Sequence, residues 1–129
     1  MRIKRTLREL MRQRAIIIDG AMGTQIFAKN PTIDDYGGVQ TDGCVEILNE
    51  TRREWIQEIH ANYFQVGADA VETNTFGCNE IVLAEFNLAH RTYELNFLAA
   101  TLARQVANDF HVEKFVIGSV GPGTKLVTL

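Results

Sequence analysis

Residues 16 to 24, Ile-Ile-Ile-Asp-Gly-Ala-Met-Gly-Thr, restrict the fold more than any other stretch. Three β-branched residues without polar alternation suit a parallel strand covered on both faces, as in α/β proteins, better than a strand with one wet face. Asp19 then stands at the carboxyl end of that strand, where open parallel sheets and α/β barrels place their ligands. Gly20 and Gly23 let a ligand approach the main chain, while Ala21 and Thr24 keep the turn narrow, so several N–H groups are expected to face one small anion. Alone, an Asp-Gly pair is better read as a cap followed by a turn. Two further segments repeat the pattern and shift the balance.

The first repeat is Ala68-Asp69-Ala70-Val71-Glu72-Thr73-Asn74-Thr75-Phe76-Gly77, a short strand that again ends in polar groups and a glycine. The second is Lys114-Phe115-Val116-Ile117-Gly118-Ser119-Val120-Gly121-Pro122-Gly123-Thr124, a strand with small residues at its end. Helical patterns separate the three. Thr51-Arg52-Arg53-Glu54 has the form of a capping box. Behind it, Trp55, Ile56, Ile59, Tyr63 and Val66 keep helical spacing, and Gly67 stands at the expected left-handed C-terminal position. His60, at the edge of that stripe, reads as a core histidine with one satisfied nitrogen rather than a ligand. Residues 79 to 90 read as a short helix, and Thr92 with Glu94 opens a longer one whose apolar positions Leu95, Leu98, Ala99, Leu102 and Val106 run to about Asn108. Strand, helix, strand, helices, strand predicts parallel strands joined by crossovers. Residues 28 to 50 have no sustained period and are expected to form a lid or binding loop, or else a disordered segment, in either case at the surface near the carboxyl end of the first strand.

With 46% hydrophobic and 22% charged residues, the 129-residue chain has the composition of a soluble globular domain, and no stretch is apolar enough for a membrane span. Cys44 and Cys78 have no second pair, so free thiols in a reducing cytosol are expected rather than a disulfide framework or a zinc site. The net charge of −3 conceals a basic start: residues 1 to 14 hold Arg2, Lys4, Arg5, Arg8, Arg12 and Arg14 against Glu9 alone. That start lacks the serines of a transit peptide, the aromatic interleaving of a nucleic-acid arm and a secretory apolar core. It is read as an N-terminal helix over 1–14, with Ile3, Leu7, Leu10 and Met11 on one face, ahead of a domain over 15–129.

The three strand ends, Asp-Gly-Ala-Met-Gly-Thr, Glu-Thr-Asn-Thr-Phe-Gly and Gly-Ser-Val-Gly-Pro-Gly, are more specific together than apart. Joined to Glu58-Ile59-His60, Gly67-Ala68-Asp69 and Glu94-Leu95-Asn96, they closely resemble the homocysteine S-methyltransferase family from about residue 5 to the end. The ending Gly121-Pro122-Gly123-Thr124-Lys125-Leu126 resembles most the homocysteine-binding module of its cobalamin-dependent branch. The resemblance implies an α/β fold, the first three βα units of a (β/α)8 TIM barrel. It also implies zinc held by three cysteine thiolates and methyl transfer from methylcobalamin to homocysteine, giving methionine in the cytoplasm.

The residues suit that chemistry. A free thiol with a pKa of about 8.5 is a poor nucleophile until a metal ionises it. The amino-acid end of the substrate must also be held. Asp19 and Glu72 are assigned to its ammonium and the turn Gly20, Ala21, Met22, Gly23 and Thr24 to its carboxylate. Thr73, Asn74 and Thr75 add orienting contacts, and Ser119 with Gly121 forms part of the floor. The zinc cysteines of the family lie in Gly-x-Asn-Cys and Gly-Gly-Cys-Cys segments that this sequence does not contain, and neither Cys44 nor Cys78 matches them. The metal ligands are therefore expected beyond Leu129, the last residue of the sequence, and none is assigned before it. A closed barrel takes about 200 residues or more. The sequence accordingly reads as the N-terminal part of a longer protein with cobalamin and folate modules. By itself it is expected to self-associate and to bind neither zinc nor homocysteine with useful affinity.

Three rivals remain at this level. Gly118 to Lys125 nearly spells a phosphate-cradling P-loop, but the lysine falls one position late and no helical pattern follows. A non-catalytic α/β fragment is the second. The third keeps the family and changes the methyl donor to betaine or S-methylmethionine.

Overall fold

A computed structural model describes residues 5–125. Ile3 of the expected N-terminal face, Leu126 of the C-terminal motif, and Leu129, beyond which the zinc cysteines are expected, lie outside the described residues. Eight regular elements follow in chain order: α1 (Leu7–Met11), α2 (Gly23–Phe27), α3 (Leu48–Thr51), α4 (Arg53–Gln65), β1 (Ala70–Glu72), α5 (Glu80–Ala84), α6 (Thr92–Asn108) and β2 (Phe115–Ile117). Short 3-10 turns at Val39–Thr41, Val45–Ile47 and Ala89–Arg91 link them.

β1 and β2 pair in parallel, with Ala70, Val71 and Glu72 opposite Phe115, Val116 and Ile117. The expected first strand is reduced to one parallel bridge, Ile18 to Ala70, on the other side of β1. Its hydrogen bonds are nonetheless those of a parallel neighbour: the Asp69 N–H donates to Ile17 O at 2.7 Å and the Asp19 N–H to Ala70 O at 3.0 Å. The three segments therefore lie side by side in sequence order, with α4 between the first and second and α6 between the second and third. Ile17 and Ile18 are 60% and 49% exposed, which corrects the expectation of a strand covered on both faces. Among the described residues their strand pairing is with β1 alone.

The helices pack against this small sheet. α4 and α6 make the most extensive contact, and their inner faces meet β1 through Phe64, Ala68, Val71, Ala103, Val106 and Ala107. The larger core joins Ile26 of α2, Leu48 of α3, Ile56 and Ile59 of α4, Leu83 of α5 and Leu95 and Leu102 of α6. α6 occupies the expected span, because Leu95, Ala99, Leu102 and Val106 fall on one buried face. Gly67 follows α4 at φ +114°, as expected for a residue in the left-handed half of the map.

Two local expectations fail for identifiable reasons. Thr51 does not cap α4. The buried residues Ile47, Leu48 and Asn49 pull the preceding segment into α3, so Thr51 is already helical and its hydroxyl donates back to Ile47 O at 3.3 Å. α4 then starts after Arg52 with no side-chain cap. Second, residues 28–50 are not simply a surface loop: Tyr36, Cys44, Ile47 and Leu48 are buried in the larger core. Their short turns have no period long enough to be legible. At the N-terminus the helix spans Leu7–Met11, with Thr6 and Glu9 forming a complete capping box.

The basic start is tied down by charge. Arg14 binds Asp69 through both guanidinium nitrogens at 2.8 and 2.6 Å, and Asp69 also accepts the Ile17 N–H at 2.9 Å. The guanidinium, then the backbone hydrogen bond, hold the Asp69 carboxyl down at about 2 against the opposing effect of burial. Buried Lys114 donates to Ala68 O at 2.6 Å, and its ammonium lies 5.3 Å from the Phe64 ring centre.

Candidate functional site

The carboxyl ends of the three parallel segments open on one cleft of about 550 Å³. Asp19, Gly20, Ala21, Met22, Gly23 and Thr24 line it from the first segment, Glu72, Thr73, Asn74 and Thr75 from the end of β1, and Ser119 from beyond β2. Eleven of the twelve residues singled out from the sequence thus meet in one place. The exception is Gly121, whose N–H donates to Phe76 O at 3.0 Å. A Cβ on Gly121 would collide with that carbonyl, so only glycine fits there.

The turn after the first segment is held from α4, where the Tyr63 hydroxyl donates to Ala21 O at 2.9 Å. A Cβ on Gly20 would stand 3.1 Å from the same hydroxyl oxygen. Among the described residues, the N–H groups of Gly20 to Thr24 donate to no protein acceptor. Asp19 turns inward, and its two carboxylate oxygens accept the Glu72 N–H at 3.0 and 3.1 Å. Burial pushes the Asp19 carboxyl up to about 6. The Glu72 N–H opposes that rise, and the nearby Glu72 carboxylate adds to it.

At the β1 end the side chains bond to one another. The Ser119 N–H donates to Thr73 Oγ1 at 3.1 Å, Thr73 and Thr75 hydroxyls lie 2.6 Å apart, and the Thr75 hydroxyl donates to Ser119 O at 2.7 Å. This closed ring locks the residues after β1 to those after β2. Asn74 Nδ2 donates to Val45 O at 3.0 Å, while Asn49 Nδ2 donates to Asn74 O and Glu46 O at 2.8 and 2.9 Å. The two amides clasp the Val45–Ile47 turn onto the end of β1.

That clasp brings in residues the sequence did not flag. Val45, Glu46, Phe27 and Phe76 also line the cleft. Phe27 and Phe76 are 60% and 62% exposed and present apolar surface at its mouth. Glu46 is buried, its Oε1 accepting the Gly77 N–H at 2.8 Å and its Oε2 facing the Cys44 thiol at 3.8 Å.

Several candidates fall outside the cleft. His60 is fully buried on α4, but neither ring nitrogen has a partner among the described residues, contrary to the expectation of one satisfied nitrogen. Burial pushes its pKa down to about 4. Cys44 and Cys78 are buried free thiols, pushed up by burial to about 11 and about 12. No cluster of three His, Cys, Asp or Glu side chains able to hold a metal forms among the described residues, so these residues do not build the zinc site that the resemblance implies. The expectation of zinc cysteines beyond Leu129 concerns positions outside the described residues. Gly118 to Lys125 opens no helix among the described residues, unlike a P-loop. No described helix is long and apolar enough to cross a membrane.

Comparison with known proteins bears on the family and the fold of the chain. The family model described as homocysteine S-methyltransferase matches residues 16–129. Over 126 residues, 95% of this chain, the sequence is 48% identical to a methionine synthase of Mycobacterium tuberculosis and 46% identical to one of Mycobacterium leprae. The chain spans about one-tenth of the length of those relatives, 10% in each case. The crystal structure of the homocysteine methyltransferase MmuM from Escherichia coli in its metallated form superposes with a TM-score of 0.71 at 26% identity, covering 90% of this chain and 41% of that one. Its oxidized form gives the same score and identity, with 40% of that chain covered. By the extent of the family match, this chain belongs to the homocysteine S-methyltransferases.

Proposed function

We propose that the cleft holds the amino-acid end of homocysteine, and that the chain is the N-terminal part of a longer methionine synthase. In this reading the three parallel segments are the first three strands of a (β/α)8 barrel. The whole protein transfers a methyl group to the homocysteine thiol to form methionine. Support comes from one observation above all. Asp19 and Glu72, carboxylates of neighbouring strand ends, line the cleft together with Gly20 to Thr24, whose N–H groups have no protein acceptor among the described residues.

Two neighbouring carboxylates repel, and one of them is half-buried, so the site gains most from a cation placed between them. The ammonium of an amino acid supplies that charge, and the unpaired N–H groups take its carboxylate. Bound in this way, the substrate is fixed at its invariant end while its sulfur side chain points toward Phe27 and Phe76, whose rings favour methylene and sulfur contacts. The ring of Thr73, Thr75 and Ser119 ties the end of β1, which carries Glu72, to the residues after β2.

Zinc and methylcobalamin are the cofactors of the proposed whole protein. Their ligands and the cobalamin and folate modules lie outside this chain, and the setting is the cytoplasm. Asp19→Asn and Glu72→Gln in the complete protein test the ammonium grip. Each is expected to raise the homocysteine KM by about tenfold or more, as loss of a charged hydrogen bond requires. Parental KM and kcat in both variants would remove the assignment.

A further inference from the structure

Glu46 is a buried carboxylate at the wall of the cleft that the ammonium grip does not use. It sits in the Val45–Ile47 turn, which Asn49 and Asn74 clasp against the end of β1. From there its Oε1 accepts the Gly77 N–H at 2.8 Å across 31 residues of sequence. The fit is close: a Cβ on Gly77 would stand 2.7 Å from that oxygen and 3.2 Å from Val82 Cγ1. Gly77 follows Phe76, one of the two phenylalanines at the mouth. The carbonyl of the same Phe76–Gly77 peptide accepts the Gly121 N–H at 3.0 Å. A Cβ on Gly121 would also press against the Phe76 ring, 2.9 Å from Cδ1 and Cε1.

The Phe76 ring is thus exposed, yet the peptide that follows it is held at both its N–H and its carbonyl. An aromatic ring at a cleft mouth contributes more to binding when its position is set in advance, because ordering a loose loop on binding costs part of the contact energy. We infer that Glu46 is a positioning residue: through the Gly77 N–H it fixes the Phe76–Gly77 peptide, and so places the Phe76 ring against the sulfur-bearing side chain of the substrate. The inference rests on the cleft being the homocysteine site, and it assigns Glu46 no contact with substrate.

The test uses the complete protein with homocysteine as the varied substrate. Glu46→Ala is expected to raise the homocysteine KM about tenfold and to change kcat far less, since it removes a contact that orders the site and not the reacting groups. Glu46→Gln keeps an oxygen acceptor for the Gly77 N–H and recovers most of that loss. Gly77→Ala breaks the same contact from the other side and reproduces Glu46→Ala, and the double variant is no worse than either single one. Amide exchange at Gly77 stays slow in the parent and in Glu46→Gln and becomes fast in Glu46→Ala. If Glu46→Ala does not fold, Glu46→Gln and Gly77→Ala carry the comparison.

Equal damage from Glu46→Gln and Glu46→Ala overturns the inference, because the charge would then act on the substrate directly. So does an unmoved KM in Glu46→Ala and Gly77→Ala. A parent that neither binds nor turns over homocysteine overturns the functional reading and this inference with it, whereas an active parent with indifferent variants overturns this inference alone.

Discussion

Asp19 reaches across to the next strand end and closes both carboxylate oxygens on the Glu72 N–H, at 3.0 and 3.1 Å. The bond fixes the direction of Asp19 while leaving it at the wall of the cleft. Because burial raises its carboxyl to about 6, the charge that would attract an ammonium is lost as the pH falls through that value. The homocysteine KM is therefore expected to climb below pH 6 in the parent. In Asp19→Asn it should be high throughout and lack that limb. Steady-state kinetics between pH 5 and 8 separate the two profiles, and parallel profiles would remove Asp19 from the grip.

The hydroxyl ring of Thr73, Thr75 and Ser119 leads to a stability prediction. Thr75→Val keeps the shape and removes the donor that reaches Ser119 O at 2.7 Å, leaving a carbonyl and the Thr73 hydroxyl short of a partner. A buried group left unpaired costs about 1–3 kcal/mol. Urea unfolding should register a loss of that size, with Thr75→Ser close to the parent. If Thr75→Val were as stable as the parent, the ring would not be what joins the two strand ends.

The ion pair of Arg14 with Asp69 is half open to solvent, so its Coulomb energy is screened. The larger cost of Arg14→Ala comes from Asp69, which is buried and would keep its charge with only the Ile17 N–H and the more distant Lys114 to support it. A loss of about 1–2 kcal/mol is expected. The depressed carboxyl adds a sign. A carboxylate held down at about 2 contributes stability that is present above its unfolded pKa and is lost as the pH falls through the folded one. The gap between parent and Arg14→Ala should accordingly narrow below pH 4, which thermal unfolding at pH 3 and pH 7 measures.

How far the sequence disclosed this site depends on the range of each interaction. α6 was legible because its contacts repeat every third or fourth residue, and Gly67 because its backbone angle is a local property. The cleft-lining strand ends were legible because small residues after a β-branched run have a local steric meaning. Thr51 misled because capping depends on whether the chain before it is already helical, and that was decided by burial of Ile47 and Leu48 in a distant core. The exposure of Ile17 and Ile18 depends on which elements flank them, not on their own pattern. Glu46 was invisible for the strongest reason: its partner is 31 residues away and its own segment has no period. The Thr6-Glu9 capping box has a local hydroxyl-to-acid spacing, but the expected helix over 1–14 ran through it, whereas Thr6 is extended and the helix starts only at Leu7.

His60 gives the sharpest stability prediction, because its two ring nitrogens are buried without a partner among the described residues and its pKa falls from 6.5 to about 4. Between those values the unfolded chain binds a proton that the folded one does not, so stability rises with pH across this window and is lost on acidification. A shift of this size corresponds to on the order of 3 kcal/mol. Asp19 works in the opposite direction. Its raised carboxyl contributes stability that is present below its unfolded pKa and disappears as the pH climbs toward 6, so the two slopes partly cancel in the parent. Measured in an Asp19→Asn background, urea unfolding at pH 5 and pH 7.5 should expose the histidine slope alone. His60→Leu removes the orphaned polar atoms at similar volume, and is expected to abolish that slope and to gain about 1–3 kcal/mol at pH 5. Equal stability of the Asp19→Asn protein at the two pH values would mean that His60 finds a proton partner in solution, and the buried, neutral assignment would have to be withdrawn.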